Sequence, residues 1–253
     1  MEETLEFPAL LRLIDERSTA FRAAIAAAPD LDAQVPTCPE WTLFDLAQHL
    51  GEGRRAWAAT VAEGPGASAR SAPEGPAAPR EREALLDWLA ASAQHLLDAL
   101  REAGPDRGCW TWWGASQSPQ TCAAVARHQL QEVAVHTYDA QLAAGVPQPL
   151  PAEVALDGAE DFLLTCVATT SPWPHKPATV DFHAAEGRSW RLSLSAEGAR
   201  TTRVTDATPS DASARGTAAD LVMVLYGRAA LHSLELDGDP HVFALLAAWE
   251  PED

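Results

Sequence analysis

Apolar residues in the first 144 positions recur every three or four residues, the spacing of helices that bury one face. The pattern predicts helices at about 8–28, from Thr42 past Val61, at 81–102 and at 119–144. The second helix has the clearest start, because Thr42 is followed three residues later by an aspartate, as in a capping box. Four long helices of this kind predict a four-helix bundle.

A stretch rich in Ala, Ser, Pro and Gly, residues 64–79, separates the second predicted helix from the third. This composition is typical of a mobile surface crossover. It fits a bundle in which one connection is much longer than the others.

The pattern changes after Gly145, where three prolines within five residues indicate a stiff domain boundary. A helix at about 152–168 follows, and then alternation around Val180 and Trp190 predicts strands. We therefore predict a mainly α protein, with a four-helix bundle at residues 1–148 followed by a small α+β domain at 149–253.

The net charge of −18 argues against nucleic acid or an acidic membrane as a general partner, since both would repel the chain. The acidic start of the sequence does not resemble a secretory signal, so we expect a cytoplasmic protein. Four cysteines without CxxC spacing are expected to be reduced thiols. Two domains of this size can fold alone, so we expect a monomer or weak dimer.

Glu132 and His136 lie four residues apart in the fourth predicted helix, so their side chains share one face. Both are polar in a run otherwise rich in Val, Ala and Leu. Carboxylate oxygen and imidazole nitrogen are good ligands for zinc and similar ions, so the pair predicts part of a metal site. The alternative is an ordinary Glu–His pair on a solvated helix face.

A third ligand is needed. His128 lies on the same stripe, but it is about 12 Å along the axis from His136, too far for one ion. His49 is on the apolar stripe of the second helix, whereas His95 on the third helix is a weaker candidate, with Gln94 and Ala91 around it. We predict the set His49, Glu132 and His136, which leaves a coordination position open as in catalytic sites. Asp139 follows His136 by one turn and could orient its imidazole.

Two segments resemble a known family. Residues 35–50, VPTCPEWTLFDLAQHL, are similar to the CPGWTVxDLxxHL signature of mycothiol-dependent maleylpyruvate isomerase-like proteins. Residues 132–140, EVAVHTYDA, resemble the HExAVHRWDA motif of the same family. Residues 149–158 and 225–228 extend the resemblance over nearly the whole chain.

The resemblance implies a DinB-like metal-binding bundle, usually with zinc, followed by a sterol-carrier-like domain. Its ligand positions fall on the three residues already selected, His49, Glu132 and His136. It also implies mycothiol, the low-molecular-weight thiol of actinobacteria, as cosubstrate. A metal-bound thiol ionises readily and could then attack a small electrophile.

The chain also departs from the family pattern. Gln131 replaces a histidine, Thr137 and Tyr138 replace an Arg-Trp pair, and Glu40 replaces a glycine. The lost arginine argues against maleylpyruvate itself, and we favour S-transfer over isomerisation. Arg228 matches the family's Gly-Arg and could clamp a carboxylate, or it could simply interact with a helix C-terminus.

Three tryptophans precede the ligand helix and could wall a substrate pocket or pack in the core: Trp110, Trp112 and Trp113. The sequence thus favours a metal- and mycothiol-dependent transferase or isomerase. Metal-assisted hydrolysis with bound water is the alternative enzyme class. A metal-binding scaffold without catalysis is the third hypothesis.

Overall fold

A computed structural model describes residues 4–72, 75–205 and 208–251 as two compact units. One unit comprises the chain up to Trp112 together with Gln120–Leu150. The other comprises Trp113–Pro119 and the chain from Pro151 onward. No helix within these described ranges is long and apolar enough to cross a membrane.

The first unit is a four-helix bundle, as predicted. Its helices are α1 (Phe7–Ala27), α2 (Leu43–Glu63), α3 (Arg82–Ala103) and α4 (Cys122–Ala143). Helix α1 packs against α3 and α4, and α2 packs against the same two helices. The apolar stripes that the spacing predicted, including Ile14, Leu46, Leu89 and Val133, are fully buried between the helices.

A two-stranded hairpin, β1 (Gln34–Val35) and β2 (Cys38–Thr42), leads directly into α2. Thr42 ends this hairpin and caps the helix. Its hydroxyl accepts from the Asp45 amide at 3.2 Å, and the Asp45 carboxylate accepts from the Thr42 amide at 2.9 Å. These two bonds satisfy amides that a helix start otherwise leaves open, and they fix where α2 begins.

The long crossover between α2 and α3 begins with a short 3-10 turn, Gly64–Gly66. Its described part is attached to the bundle, because the indole of Trp88 on α3 donates a hydrogen bond to the Pro76 carbonyl at 2.9 Å. Residues 73 and 74 of the predicted crossover lie outside the described residues.

The second unit is α+β, as predicted. It contains α5 (Ala152–Phe162), a π-helical turn (Leu163–Val167), strands β3 (Ala178–Ala184), β4 (Ser189–Ser195), β5 (Gly198–Arg203), β6 (Ala212–Gly216) and β7 (Glu235–Gly238), and helices α6 (Ala218–Leu225) and α7 (Pro240–Ala248). The sheet order is β5-β4-β3-β6-β7, and only the β3–β6 pair is parallel. Alternate residues of β4, including Trp190 and Leu192, fill the core.

The structure differs from the predicted pattern in several places. The helix expected at 152–168 ends at Phe162 and continues as the π turn. Strands β5 and β6 were not predicted, because neither contains a large apolar residue whose alternation would reveal a strand. The β1–β2 hairpin was also missed, since two such short strands contain too few residues to show alternation.

Candidate metal centre

Three side chains from two helices meet in the first unit: His49 from α2, and Glu132 and His136 from α4. One donor atom from each lies within 4.8 Å of the other two. His49 Nε2 is 3.4 Å from Glu132 Oε1. The His49 side chain is 40% exposed, whereas Glu132 and His136 are 19% and 11% exposed. The cluster is therefore reached from solvent on the His49 side.

Glu132 is held as an ionised carboxylate. Burial alone would raise its pKa, but the hydrogen bond from His49 and the positive charge of the neighbouring histidines lower it to about 2. Gln129 donates its side-chain amide to Oε2 at 2.5 Å, while Oε1 points to His49. One carboxylate oxygen is thus anchored on its own helix, and the other faces the cluster.

Asp139 binds the second imidazole of the set. Its Oδ2 lies 2.9 Å from His136 Nδ1, and its Oδ1 accepts from the Thr37 hydroxyl at 2.6 Å. The carboxylate is fully buried. A carboxylate can only accept, so this contact places the proton on Nδ1 and leaves Nε2 of His136 as the donor for a metal.

Trp41, at the end of β2, covers both imidazoles. Its ring centroid is 4.7 Å from that of His49 and 6.1 Å from that of His136. The two imidazole centroids are 5.3 Å apart and nearly perpendicular. The hairpin therefore supplies an indole that restrains both ligand rings, and this role was not predicted from the sequence.

A buried cation lies near the cluster. Arg54 on α2 is 1% exposed and donates Nη2 to the Ser18 hydroxyl at 2.8 Å. Its Nη1 has no hydrogen-bond partner among the described residues. Burial lowers the pKa of Arg54 to about 10, and the negative charge of Glu132 opposes that change. The two buried charges compensate one another in part.

Two of the predicted pocket tryptophans lie in this unit. Trp112 is half exposed, and its ring meets that of His128 edge to face at 5.6 Å. His128 is one turn before Glu132 on α4. Trp110 lies 6.3 Å from the buried Trp57 of α2, measured between ring centroids. Both indoles therefore contact the two helices that supply the cluster.

Trp113 and Arg228 belong to the second unit. Trp113 is buried, and its indole donates to the Pro119 carbonyl at 3.3 Å, which is the packing alternative considered above. Arg228 follows α6 and donates Nη1 to the Tyr226 carbonyl at 2.7 Å. The sequence left two roles open for Arg228, a carboxylate clamp and an interaction with a helix C-terminus. This contact is an interaction of the second kind.

Sequence reasoning missed Trp41, Thr37, Gln129 and Arg54. Gln129 had a signal, because it precedes Glu132 by three residues on one helix face. Thr37 and Trp41 are within the motif segment that supplied His49, yet nothing in their own spacing indicates which distant side chains they meet.

The donor set fits a divalent metal. Tetrahedral ligands at about 2.0–2.1 Å from an ion are about 3.4 Å from one another. The His49 Nε2–Glu132 Oε1 pair has this separation, and the donor of His136 lies within 4.8 Å of both. Two imidazoles and one carboxylate suit zinc and several first-row neighbours. His136 also has the carboxylate partner that metal-bound histidines commonly have.

Two models of protein families match this chain, one in its N-terminal part and one in its C-terminal part. A family model described as the mycothiol maleylpyruvate isomerase N-terminal domain matches residues 11–141. The corresponding C-terminal domain model matches residues 153–245. A comparison with curated protein sequences gave no match.

Solved structures of mycothiol-dependent maleylpyruvate isomerase share the fold. One, a mutant with a histidine replaced by alanine, superposes with a TM-score of 0.59 at 12% identity, covering 94% of this chain and 96% of that one. A second gives 0.57 at 14% identity, covering 90% and 93%. The N-terminal family match alone spans more than half of the sequence. The chain therefore belongs to the mycothiol maleylpyruvate isomerase family.

Proposed function

We propose that this protein is a metal-dependent enzyme that uses mycothiol in S-transfer to a small electrophile. His49, Glu132 and His136 would hold the metal, and zinc is the proposed ion. The observation that carries the proposal is the convergence of the three donor atoms within 4.8 Å of one another. When bound, such an ion lowers the pKa of a coordinated thiol, which makes a thiolate available near neutral pH.

The residues around the cluster support this role. Gln129 holds one oxygen of Glu132, and Asp139 holds the Nδ1 proton of His136, so both α4 donors are oriented before anything binds. Trp41 restrains both imidazoles from the hairpin side. The exposed His49 leaves one side of the cluster accessible to a thiol from solvent.

S-transfer is favoured over isomerisation because of Thr137. The family motif has an arginine at this position, followed by a tryptophan, and this chain has Thr137 and Tyr138 instead. Thr137 is buried, and its hydroxyl lies 2.6 Å from the Val133 carbonyl and 3.2 Å from the Arg17 carbonyl, so it bonds to backbone within the bundle. A dicarboxylate would find no cation at that position, whereas a neutral electrophile would not need one.

Trp112 and Trp110 are proposed to border the space for the electrophile. Trp112 is half exposed and contacts His128, one turn from Glu132, so an incoming flat molecule would meet its indole. Trp113, which is buried in the other unit, is proposed to serve packing instead.

The test is thiol consumption with 1-chloro-2,4-dinitrobenzene as electrophile, with mycothiol or glutathione, before and after chelation. We expect turnover with mycothiol that chelation abolishes and zinc restores. The His49→Ala variant should lose both stoichiometric metal and turnover, while the matched His95→Ala variant, an exposed histidine on α3, should keep both.

Other outcomes would redirect the proposal. Chelator-sensitive ester hydrolysis that needs no thiol would favour the hydrolase. A protein purified without metal, and inactive after zinc is added, would favour a scaffold. Full metal retention by His49→Ala would refute the ligand set.

A further inference from the structure

The second unit contains an apolar cavity of about 340 Å³, and none of the three residues of the metal cluster lines it. Its walls come from α5 and the π turn, from β3, from the end of α6 and from α7. All of the residues that line it belong to this one unit. The cavity is therefore a feature of the α+β domain itself.

The chemistry of the wall is uniform. The described lining residues include neither a charged side chain nor an amide or hydroxyl side chain, and four of them are aromatic: Phe162, Phe182, Phe243 and Trp249. The rings of Phe182 and Phe243 meet edge to face with centroids 6.4 Å apart. A charged ligand would lose its hydration here without gaining a partner, so the wall selects against charge.

Cys166 is the one heteroatom-bearing side chain in the wall other than the indole of Trp249. Burial and the nearby negative charge of Asp161 raise the pKa of the Cys166 thiol to about 12. The thiol is therefore mainly neutral at ordinary pH and reacts only slowly with electrophiles. It serves as a small apolar surface, which agrees with the rest of the lining.

The backbone at this wall is irregular. Helix α5 gives way to the π turn Leu163–Val167, in which the Ala168 amide bonds back to the Leu163 carbonyl at 3.0 Å. Cys166 and Val167 of this turn line the cavity. Single π turns are rare and are often found where a helix meets a ligand site.

The size favours a small molecule over a whole helical segment. One 5.4 Å turn of a helix 10 Å across displaces about 420 Å³, which is more than the cavity holds. A volume of 340 Å³ is at the lower end of the range for small-molecule sites. Aromatic walls favour a flat ligand that can stack or meet their edges.

We propose that this cavity binds a small, uncharged aromatic molecule of two or three rings. All of its lining residues belong to the second unit, and the proposal does not depend on the proposed S-transfer. Phe182, Phe243 and Trp249 provide the aromatic contacts, and Cys166 provides a reporter within the wall.

The first experiment is a fluorescence titration of the full-length protein with N-phenyl-1-naphthylamine, a neutral aromatic probe. We expect saturable 1:1 binding that naphthalene displaces more readily than decane. Leu231→Arg places a charge in the wall and should weaken binding at least tenfold. Leu236→Arg, on an exposed residue of β7 outside the cavity, should not change it.

A second measurement needs no substitution. Alkylation of Cys166 by iodoacetamide, followed by peptide mass spectrometry, should slow at least fivefold when the probe is bound. Cys38, a half-buried thiol of the other unit, is the internal control and should not change. Lack of saturable binding, preferential displacement by decane, or equal shielding of both thiols would overturn the proposal.

Discussion

Nδ1 of His136 lies 2.9 Å from Oδ2 of Asp139, a carboxylate that is fully buried one turn further along the same helix. The contact fixes which imidazole nitrogen carries the proton, and thereby which one can bind a metal. Thr37 holds the other carboxylate oxygen from the β1–β2 hairpin. The imidazole is thus oriented by a chain of contacts that joins α4 to the segment before α2.

Asp139→Asn should weaken zinc binding by about 10- to 100-fold, because an amide can present its NH₂ to Nδ1 and favour the wrong tautomer. Zinc affinity measured by competition with a chromophoric chelator checks this. The matched Thr37→Val variant removes only the hydrogen bond to the other oxygen and should have a smaller effect. Unchanged affinity in Asp139→Asn would show that the carboxylate does not set the tautomer.

Two glycines on α2 should respond oppositely to alanine. A Cβ at Gly51 would lie about 1.9 Å from the ring of Trp88. A Cβ at Gly53 would meet only Glu132 Oε1, at 3.6 Å, an ordinary contact. Gly51→Ala should therefore destabilise the bundle by about 1–3 kcal/mol through overpacking. Gly53→Ala should stabilise it by up to about 1 kcal/mol through helix propensity.

Urea unfolding of both glycine variants, monitored by helical circular dichroism, measures these changes. Equal effects of the two substitutions would mean that the Trp88 ring can move aside without cost. Metal content of Gly53→Ala is the control, and it should equal that of the wild type because the new methyl group leaves Oε1 free.

The bundle was largely predictable because the spacing of apolar residues within each helix shows which face of that helix is buried. The buried face of α1, for example, follows from the spacing of Leu10, Ile14, Phe21 and Ile25 alone. The placement of His49 on the stripe of α2 follows by the same rule. These inferences need only local sequence and the period of a helix.

The contacts of Trp41 could not be predicted in this way. His136 is 95 positions further along the chain than Trp41. The pattern of residues within a five-residue strand does not indicate which distant side chain each one will contact. The same limit applies to Arg54 and Ser18, which meet across two helices. Such pairings depend on how the helices are rotated against one another, a property of the whole bundle.

The capping box of α2 should make stability depend on pH. Hydrogen bonds from the Thr42 side chain and backbone lower the pKa of Asp45. A lowered carboxyl pKa contributes stability above the ordinary value of about 3.9, and that contribution is lost as pH falls through the lowered value. Asp45→Asn lacks this titration, so the difference between wild type and variant should shrink below about pH 4.

Urea unfolding of the metal-free protein between pH 2 and 6 checks this, since the other carboxyl groups are common to both proteins. Near pH 6 the variant should be less stable by about 1 kcal/mol, the typical cost of losing a cap interaction. A difference that stays constant over the whole range would mean that Asp45 ionises alike in folded and unfolded chains.

Substitution of Arg228 distinguishes the two roles considered for it, binding of a substrate carboxylate and interaction with the C-terminus of α6. If it binds a substrate carboxylate, Arg228→Gln should lower kcat/KM about 10- to 100-fold for an electrophile that carries a carboxylate. The same substitution should not affect a neutral electrophile of similar size. A role restricted to the Tyr226 carbonyl would instead lower stability and leave the ratio of the two substrates unchanged.

Zinc should stabilise the protein by an amount that rises with the logarithm of its free concentration above the dissociation constant, since the three proposed ligands converge only in the folded bundle. At a free zinc concentration 100 times the dissociation constant, the expected gain is about 2.7 kcal/mol. For a unit of this size the gain corresponds to a rise in Tm of several degrees. Differential scanning calorimetry over a zinc series checks this, and two units can give two transitions. Only the transition of the bundle should move, and it should stop moving in His49→Ala but not in His95→Ala. A zinc-dependent shift that survives His49→Ala would place the ion on other side chains and remove the basis for an open catalytic site.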